Sequence, residues 1–389
     1  MRKTILAAMI FAATAGAGAH TIEDVLRSVE QNNVELKAMQ KGNEAAALEL
    51  RQDNILDDLS VEYSPFFNGK GDGTASSELV VSQGFDFPTL YGARRKANRL
   101  EGDARRMEYK TARRDVLMEA KNICLDLILM NKKKALLDNR RKNADELMAH
   151  FTEKYNNGDA TALELNKIKM DRMNLETELV EAEAARSTAL QQLKALNGGK
   201  DIDLTTTEYP ALPDDDEDDM YDRAVGSDLG VRTAEAAAKA AEQGVKVNRQ
   251  SWIPKLEVGY RRNTDGNEAL NGFLIGGSIP LFSSRNKVKT ARARHAEARL
   301  RQDEARIKAE SEARSLIDRM AQLRRAASAY DVELMRQTLS LLQTAVENGE
   351  ISVTDYYVEV DAVYRNLLSL MDVERQYQGA IAEIYKNEL

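Results

Sequence analysis

Two stretches without proline set the terms for this chain. Its six prolines stand at positions 65, 88, 210, 213, 254 and 280, so residues 89–209 and 281–389 contain none. Proline is the strongest helix breaker, because it lacks the N–H and its ring meets the preceding turn. Glycine is scarce there too; after Pro280 only Gly349 and Gly379 remain. Two very long helical tracts are therefore permitted. Each carries one obvious turn, Tyr155-Asn156-Asn157-Gly158-Asp159 in the first and Glu347-Asn348-Gly349-Glu350 in the second. Asn-Gly followed by a new capping residue closes one helix and opens the next. The helices before and after each turn are expected to run about 60 and about 40 residues, the longer ones reaching roughly 90 Å.

The pattern occurs twice. Gly349 lies 191 residues after Gly158. Phe85-Asp86-Phe87 before Gly92-Ala93-Arg94-Arg95-Lys96 corresponds to Ser278-Ile279-Pro280-Leu281-Phe282 before Arg285-Asn286-Lys287. An early helix from Thr21 matches one starting near Met220. The expected order is helix, strand, strand, long helix, turn, long helix, twice over. Residues 20–200 form the first repeat, 201–219 an acidic linker exposed around 214–219, and 220–389 the second repeat. With 30% charged and 6% aromatic residues, the composition suits long helices. Leu334, Leu341, Leu342 and Ala345, then Val353, Tyr357, Val360, Tyr364, Leu367, Leu368 and Met371, recur at helical spacing as a bundle-like face. Two ordinary antiparallel coiled-coil hairpins would explain the helices completely.

The segments between the helices ask for more. Residues 59–65 alternate apolar and polar, as do 78–87, where Leu79, Val81, Phe85 and Phe87 oppose Ser82, Gly84 and Asp86. In the second repeat Leu256, Val258 and Tyr260 alternate with Glu257, Gly259 and Arg261. Phe273, Ile275, Ile279 and Leu281 then alternate with Gly276 and Ser278. Gly-rich polar loops at 68–74 and 263–267 join each pair, so two β-hairpins are expected, near 59–87 and 255–282. Strands of about 8–10 residues suffice to cross a membrane when tilted, and one-sided alternation is the barrel-strand signature. Four strands cannot close a barrel, so a membrane role requires several copies. The same alternation also fits a small soluble sheet.

The N-terminus sets the compartment. Arg2 and Lys3 precede an apolar run from Ile5 to Ala13, and Ala17-Gly18-Ala19 fits a small-x-small cleavage site, so residues 1–19 read as a signal peptide. The run is too short for a membrane anchor. Cys124 cannot form an intramolecular disulfide and sits among Ile123, Leu125 and Leu127, as a buried, inert thiol does. A net charge of −8 disfavours nucleic acid. His20, His150 and His295 show no metal-ligand spacing. No Walker-type or Gly-rich dinucleotide loop, clustered histidine or Ser/His/Asp signal is present, so neither an enzyme nor a cofactor is expected.

In this order the elements resemble the TolC-like outer-membrane efflux proteins over nearly the whole mature length. The resemblance rests on the duplication, Gln83-Gly84-Phe85-Asp86-Phe87-Pro88 with Gly92, Trp252-Ile253-Pro254-Lys255-Leu256, and the turns at Gly158 and Gly349. It implies an α+β membrane protein: a homotrimer whose four strands per chain share a 12-stranded β-barrel, with helical hairpins forming a periplasmic α-barrel. It also implies a passive channel of a tripartite efflux or type I secretion system. Partners would be a periplasmic adaptor protein, an inner-membrane RND or ABC transporter, and outer-membrane lipid. The rival is a soluble periplasmic coiled-coil scaffold or adaptor, whose strands would pack their apolar faces on each other.

Site residues follow from the turns. Glu164 and Asp355 stand six residues beyond Gly158 and Gly349. By resemblance Asp355, joined by Glu359 one turn on, matches an acidic ring at the periplasmic entrance, where three copies would favour cations. Thr161-x-x-Glu164 and Ser352-x-x-Asp355 equally fit helix capping. Some family members latch the entrance with a basic residue two positions after the second glycine; here Ile351 stands there. Gly158, Gly349, Asn157 and Asn348 are the candidate adaptor-docking turns. The basic clusters Arg94-Arg95-Lys96-Arg99 and Arg285 through Arg294 read as solvated faces or interhelical pairs, with attraction of anionic substrates into the tube as the alternative. The exported substrate is not legible.

Overall fold

The helices form because nothing in the proline-free tracts stops them, and each ends where a specific cap is supplied. The computed structural model describes residues 21–52, 54–67, 74–213, 215–265, 268–280 and 284–389. The expected leader 1–19, His20, the loop residues 68–73, Asp214, Gly266, Asn267, Leu281 and Phe282 lie outside them. The elements run α1 (Ile22–Asn32), α2 (Val34–Gln52), β1 (Leu59–Phe67), β2 (Thr74–Phe85), α3 (Pro88–Asn157), α4 (Ala162–Leu196), α5 (Glu217–Gly226), α6 (Leu229–Arg249), β3 (Lys255–Asp265), β4 (Glu268–Ser278), α7 (Lys287–Ser328), α8 (Val332–Glu347) and α9 (Val353–Ile384).

The chain divides into two units. One comprises the residues up to Asn32 with Glu119–Pro213 and Leu323–Gly379. Its core joins Leu147 and Phe151 of α3, Leu165 and Ile168 of α4, and Tyr356, Tyr357, Val360 and Tyr364 of α9. A charged clasp sits beside that core. Arg140 of α3 donates to Asp171 of α4 at 3.0 Å and to Asp361 of α9 at 2.6 Å. Its guanidinium also lies 4.8 Å from the centre of the Tyr364 ring. Arg140 and Asp171 are nearly buried; burial pushes the Asp171 carboxyl up, against the pull of Arg140. Cys124 is buried, and desolvation pushes its thiol up to about 12, as an inert core thiol requires.

The other unit comprises Asn33–Met118, Asp214–Gln322 and Ala380–Leu389, and holds all four strands. They form one antiparallel sheet in the order β1-β2-β3-β4. The register puts Val61, Val81, Tyr260 and Phe273 in one cross-strand row, and Leu59, Gln83, Val258 and Ile275 in the next row on that face. Ser60, Ser82 and Gly259 lie on the opposite face, as do Glu62, Val80, Arg261 and Gly272. A Cβ on Gly259 would meet the Val81 carbonyl oxygen at 2.5 Å, so only glycine fits there. Pro65 falls on the edge strand β1, the place in a sheet where proline is tolerated.

Several boundaries differ from the sequence reading. The second strand ends at Phe85 rather than 87, because the Asp86 carboxylate turns to Arg94 at 2.5 Å and Pro88 opens α3. Asn263, Thr264 and Asp265, read as loop, pair with Leu270, Ala269 and Glu268 as strand. The second tract is not one helix up to its turn: it breaks between Ser328 and Val332, where the Asp331 side chain accepts from Leu334 N at 2.9 Å and caps α8. The acidic stretch is not a bare linker. Asp216 caps α5, and Asp215 receives Arg223 and the Tyr385 hydroxyl, each at 2.6 Å.

Replacing Arg140 by Met leaves the Asp171 carboxylate nearly buried without its counter-charge. We expect a loss of roughly 3 kcal/mol, read as a lower midpoint in denaturant unfolding, with Arg140→Met/Asp171→Leu recovering most of it. An unchanged midpoint in the single variant would remove the clasp from the stabilising interactions.

Candidate entrance and docking turns

Both turns are built alike, from the backbone outward. At the end of α3, Gly158 takes φ 82°, its N–H donates to Tyr155 O at 3.1 Å, and Asp159 N donates to Lys154 O at 2.8 Å. At the end of α8, Gly349 takes φ 74°, its N–H donates to Val346 O at 3.2 Å, and Glu350 N donates to Ala345 O at 2.8 Å. These are two Schellman closures, in which left-handed glycine lets paired N–H groups satisfy the last carbonyls. Asn157 and Asn348 occupy the position before each glycine and are exposed, as the glycines are.

The restarts differ in one respect. At the first, Glu164 N donates to Thr161 Oγ1 at 3.2 Å and Thr161 N donates to Glu164 Oε2 at 2.7 Å, a complete capping box. The backbone N–H and hydroxyl of Thr161 hold the Glu164 carboxyl below its ordinary value. At the second, Asp355 N donates to Ser352 Oγ at 3.1 Å and the Ser352 hydroxyl donates to Asp355 Oδ2 at 2.7 Å. Among the described residues no bond runs from Ser352 N to Asp355. Glu164 is thus consumed by capping, whereas Asp355 is exposed and keeps acceptor capacity. Glu359, also exposed, shares its helical face at i+4. Like charges at that spacing destabilise an isolated helix by about 0.2–0.5 kcal/mol.

One carbonyl ties the turns together. Glu347 O, left free by the end of α8, accepts Lys154 Nζ at 2.6 Å and contacts His150 Nε2 at 3.2 Å. Ile351, where a basic latch was sought, packs against the hydrophobic cluster instead. Sequence reasoning missed Lys154 and His150; their signal was two basic side chains one turn apart at the end of a helix. Leu163 and Val358 remain exposed near the turns. Among the described residues no group of three or more His, Cys, Asp or Glu is placed to hold a metal ion, and no helix is long and apolar enough to cross a membrane.

Long helices closed by paired glycine turns, with one amphipathic four-stranded sheet, define the fold of outer-membrane channels. A solved membrane protein from Pseudomonas aeruginosa matches with a TM-score of 0.78 at 17% identity, over 94% of this chain and 89% of its own. The Campylobacter jejuni CmeC outer membrane channel matches with a TM-score of 0.75 at 17% identity, over 94% and 85%. Residues 220–387 match the model of the family described as outer membrane efflux protein, as the TolC-like resemblance expects. The outer-membrane location read from the sequence agrees with both findings. Among curated relatives, the nickel-cobalt-cadmium resistance protein NccC of Alcaligenes xylosoxydans xylosoxydans is 40% identical over 96 residues, 23% of this chain and 22% of that protein. The nickel and cobalt resistance protein CnrC of Cupriavidus metallidurans is 35% identical over 101 residues, 25% and 24%. The chain thus matches less than a quarter of the length of either relative.

Thr161→Ala removes the first cap and is expected to cost about 1 kcal/mol in unfolding free energy. The Glu164 carboxyl titrates lower folded than unfolded, so its contribution is present above its ordinary pKa and fades as pH falls through the lowered value. Glu164→Gln should flatten stability against pH below about pH 4.5. A wild-type slope in that variant would show that the cap carries no pH dependence.

Proposed function

We propose that the chain is the outer-membrane channel of a tripartite efflux or type I secretion system, passing substrates passively from an adaptor and inner-membrane pump to the exterior. The observation that carries this reading is the sheet. Its apolar rows face outward, with Phe273 92% and Ile275 86% exposed, and β1 and β4 each present an edge with no partner strand among the described residues. A soluble scaffold would pack such a face on itself. Lipid accepts it, provided other copies pair the edges. Exposed Phe66 and Phe67 at one end of the strands, and Trp252 and Phe87 at the other, suit aromatic girdles at two membrane surfaces.

Three copies then share a 12-stranded barrel, and the twice-repeated element order reflects an internal duplication. The helices enclose a water-filled conduit, and substrate never enters lipid. Asp355 and Glu359 from each copy ring the periplasmic entrance, supported by their exposure and their freedom from a full capping box. Glu164 contributes to the entrance mainly by fixing the start of α4. Gly158, Gly349, Asn157 and Asn348 meet the adaptor, supported by two equivalent exposed tips. The printed names of the two relatives make divalent metal cations the first cargo to test, and an acidic entrance suits cations.

Membrane fractionation followed by mass determination in detergent tests the assembly. A trimer in the outer-membrane fraction is expected, whereas a water-soluble monomer or dimer would restore the scaffold reading. Phe273→Arg sets a charge on the lipid face, at a cost of about 2–4 kcal/mol near the bilayer midplane. It should sharply lower the membrane-inserted fraction while leaving the helical circular dichroism unchanged. In planar bilayers Asp355→Asn should reduce cation over anion selectivity, and an unchanged reversal potential would take Asp355 out of the pore.

A further inference from the structure

Between the end of α2 and α3 lies a cavity of about 390 Å³ with a strongly basic lining. Arg51 comes from α2, and Arg95, Arg99 and Arg106 from one face of α3, at i, i+4 and i+11. No carboxylate lines it. Asp103 pairs with Arg106, but Arg51, Arg95 and Arg99 have no ion-pair partner among the described residues; neighbouring Asp53 lies outside them. Asn98 Nδ2 donates to Leu50 O and joins the two walls. The buried Asn54 Oδ1 has no partner, and a Cβ on Gly102 would meet nothing within 4 Å.

We propose that this cavity is a phosphate-binding site and that it takes the headgroup of an anionic phospholipid, a reading that rests on the membrane position given to the sheet above. Guanidinium clusters are the side chains best suited to phosphate oxygens, through paired N–H donors and low hydration. Basic clusters at the edge of a membrane-embedded segment bind anionic headgroups. The place fits: Asn54 precedes the first residue of β1 by five positions, and Arg95 follows Pro88 by seven, about 10 Å along the helix. Leu48, Ile55 and Leu56 stand exposed beside the arginines, so acyl carbon and phosphate would be met by adjacent surfaces. The orphan Asn54 oxygen calls for a donor. A hydroxylated headgroup supplies one, whereas a fully ionised phosphate does not.

The test reconstitutes the full chain into vesicles of phosphatidylethanolamine with phosphatidylglycerol, re-extracts it in mild detergent and weighs the complex by native mass spectrometry. Wild type should retain phosphatidylglycerol. Arg95→Gln/Arg99→Gln, and Gly102→Phe, which fills the cavity without changing charge, should each lower retention by about tenfold or more. Arg292→Gln on α7 serves as the control and should retain it. Circular dichroism identifies any variant that has not folded. Equal retention in both cavity variants would overturn the proposal. A parallel titration with inorganic phosphate in lipid-free detergent separates the sources. Arg95-dependent phosphate binding without lipid retention would overturn the headgroup assignment in favour of a soluble anion. Flotation of wild type with the vesicles reports on insertion separately. Variants that float but lose lipid implicate the cavity alone, while wild type that does not float overturns the channel reading and the headgroup with it.

Discussion

Backbone hydrogen bonding at two sheet edges governs what this chain can be. The long helices close their own N–H and C=O groups through i to i−4 bonds, and side-chain caps or Schellman closures meet several of their ends, among them Thr161, Asp228, Asp331, Gly158 and Gly349. The sheet has no such self-sufficiency. Among the described residues, β1 and β4 each carry one row of backbone groups that no strand pairs, on a sheet whose apolar face is exposed. In water such an edge invites aggregation, and in lipid each unpaired group costs several kcal/mol. The closure with other copies proposed above would remove both penalties together. On that reading assembly is a condition on the strands rather than an addition to a finished fold.

The unit holding the turns has a different economy of interactions. Capping chemistry fixes where helices begin and end, and it absorbs one of the two acidic residues at the restarts. Glu164 accepts both the backbone N–H and the hydroxyl of Thr161, whereas Asp355 accepts the Ser352 hydroxyl alone and stays exposed. Around them, Arg140 joins α3 to α4 and α9, and the Glu347 carbonyl joins α8 to α3. Both are polar contacts between elements, laid beside an apolar core that would by itself leave rotation and register loosely specified.

Much of this was legible in the residues. Proline and glycine placement gave the helical tracts and both turns, and period-two alternation gave all four strands with the correct apolar face. What escaped was set by side chains acting out of pattern. Asp331 ends a helix without glycine or proline, because its carboxylate offers the backbone an alternative partner. Asp215 and Asp216 look like an exposed run until Arg223 and Tyr385 are brought beside them. Arg140, Lys154 and His150 carry no local signal of their targets, which lie on other helices. Exposure separated Asp355 from Glu164 only after the bonds at each cap were seen.

The interruption between α7 and α8 makes the approaches to the two glycine turns mechanically unequal. α3 reaches its turn without a break. Before the second turn the helix is cut at 329–331, where Tyr330 N turns to Ala327 O and the α8 cap begins anew. Deflection there rotates a few torsions and strains no i to i−4 bond. The helix before Gly158 therefore behaves as a strut and the one before Gly349 as a strut with a joint. A force applied at the tip carrying Gly349 is accommodated seventeen residues away, at the start of α8.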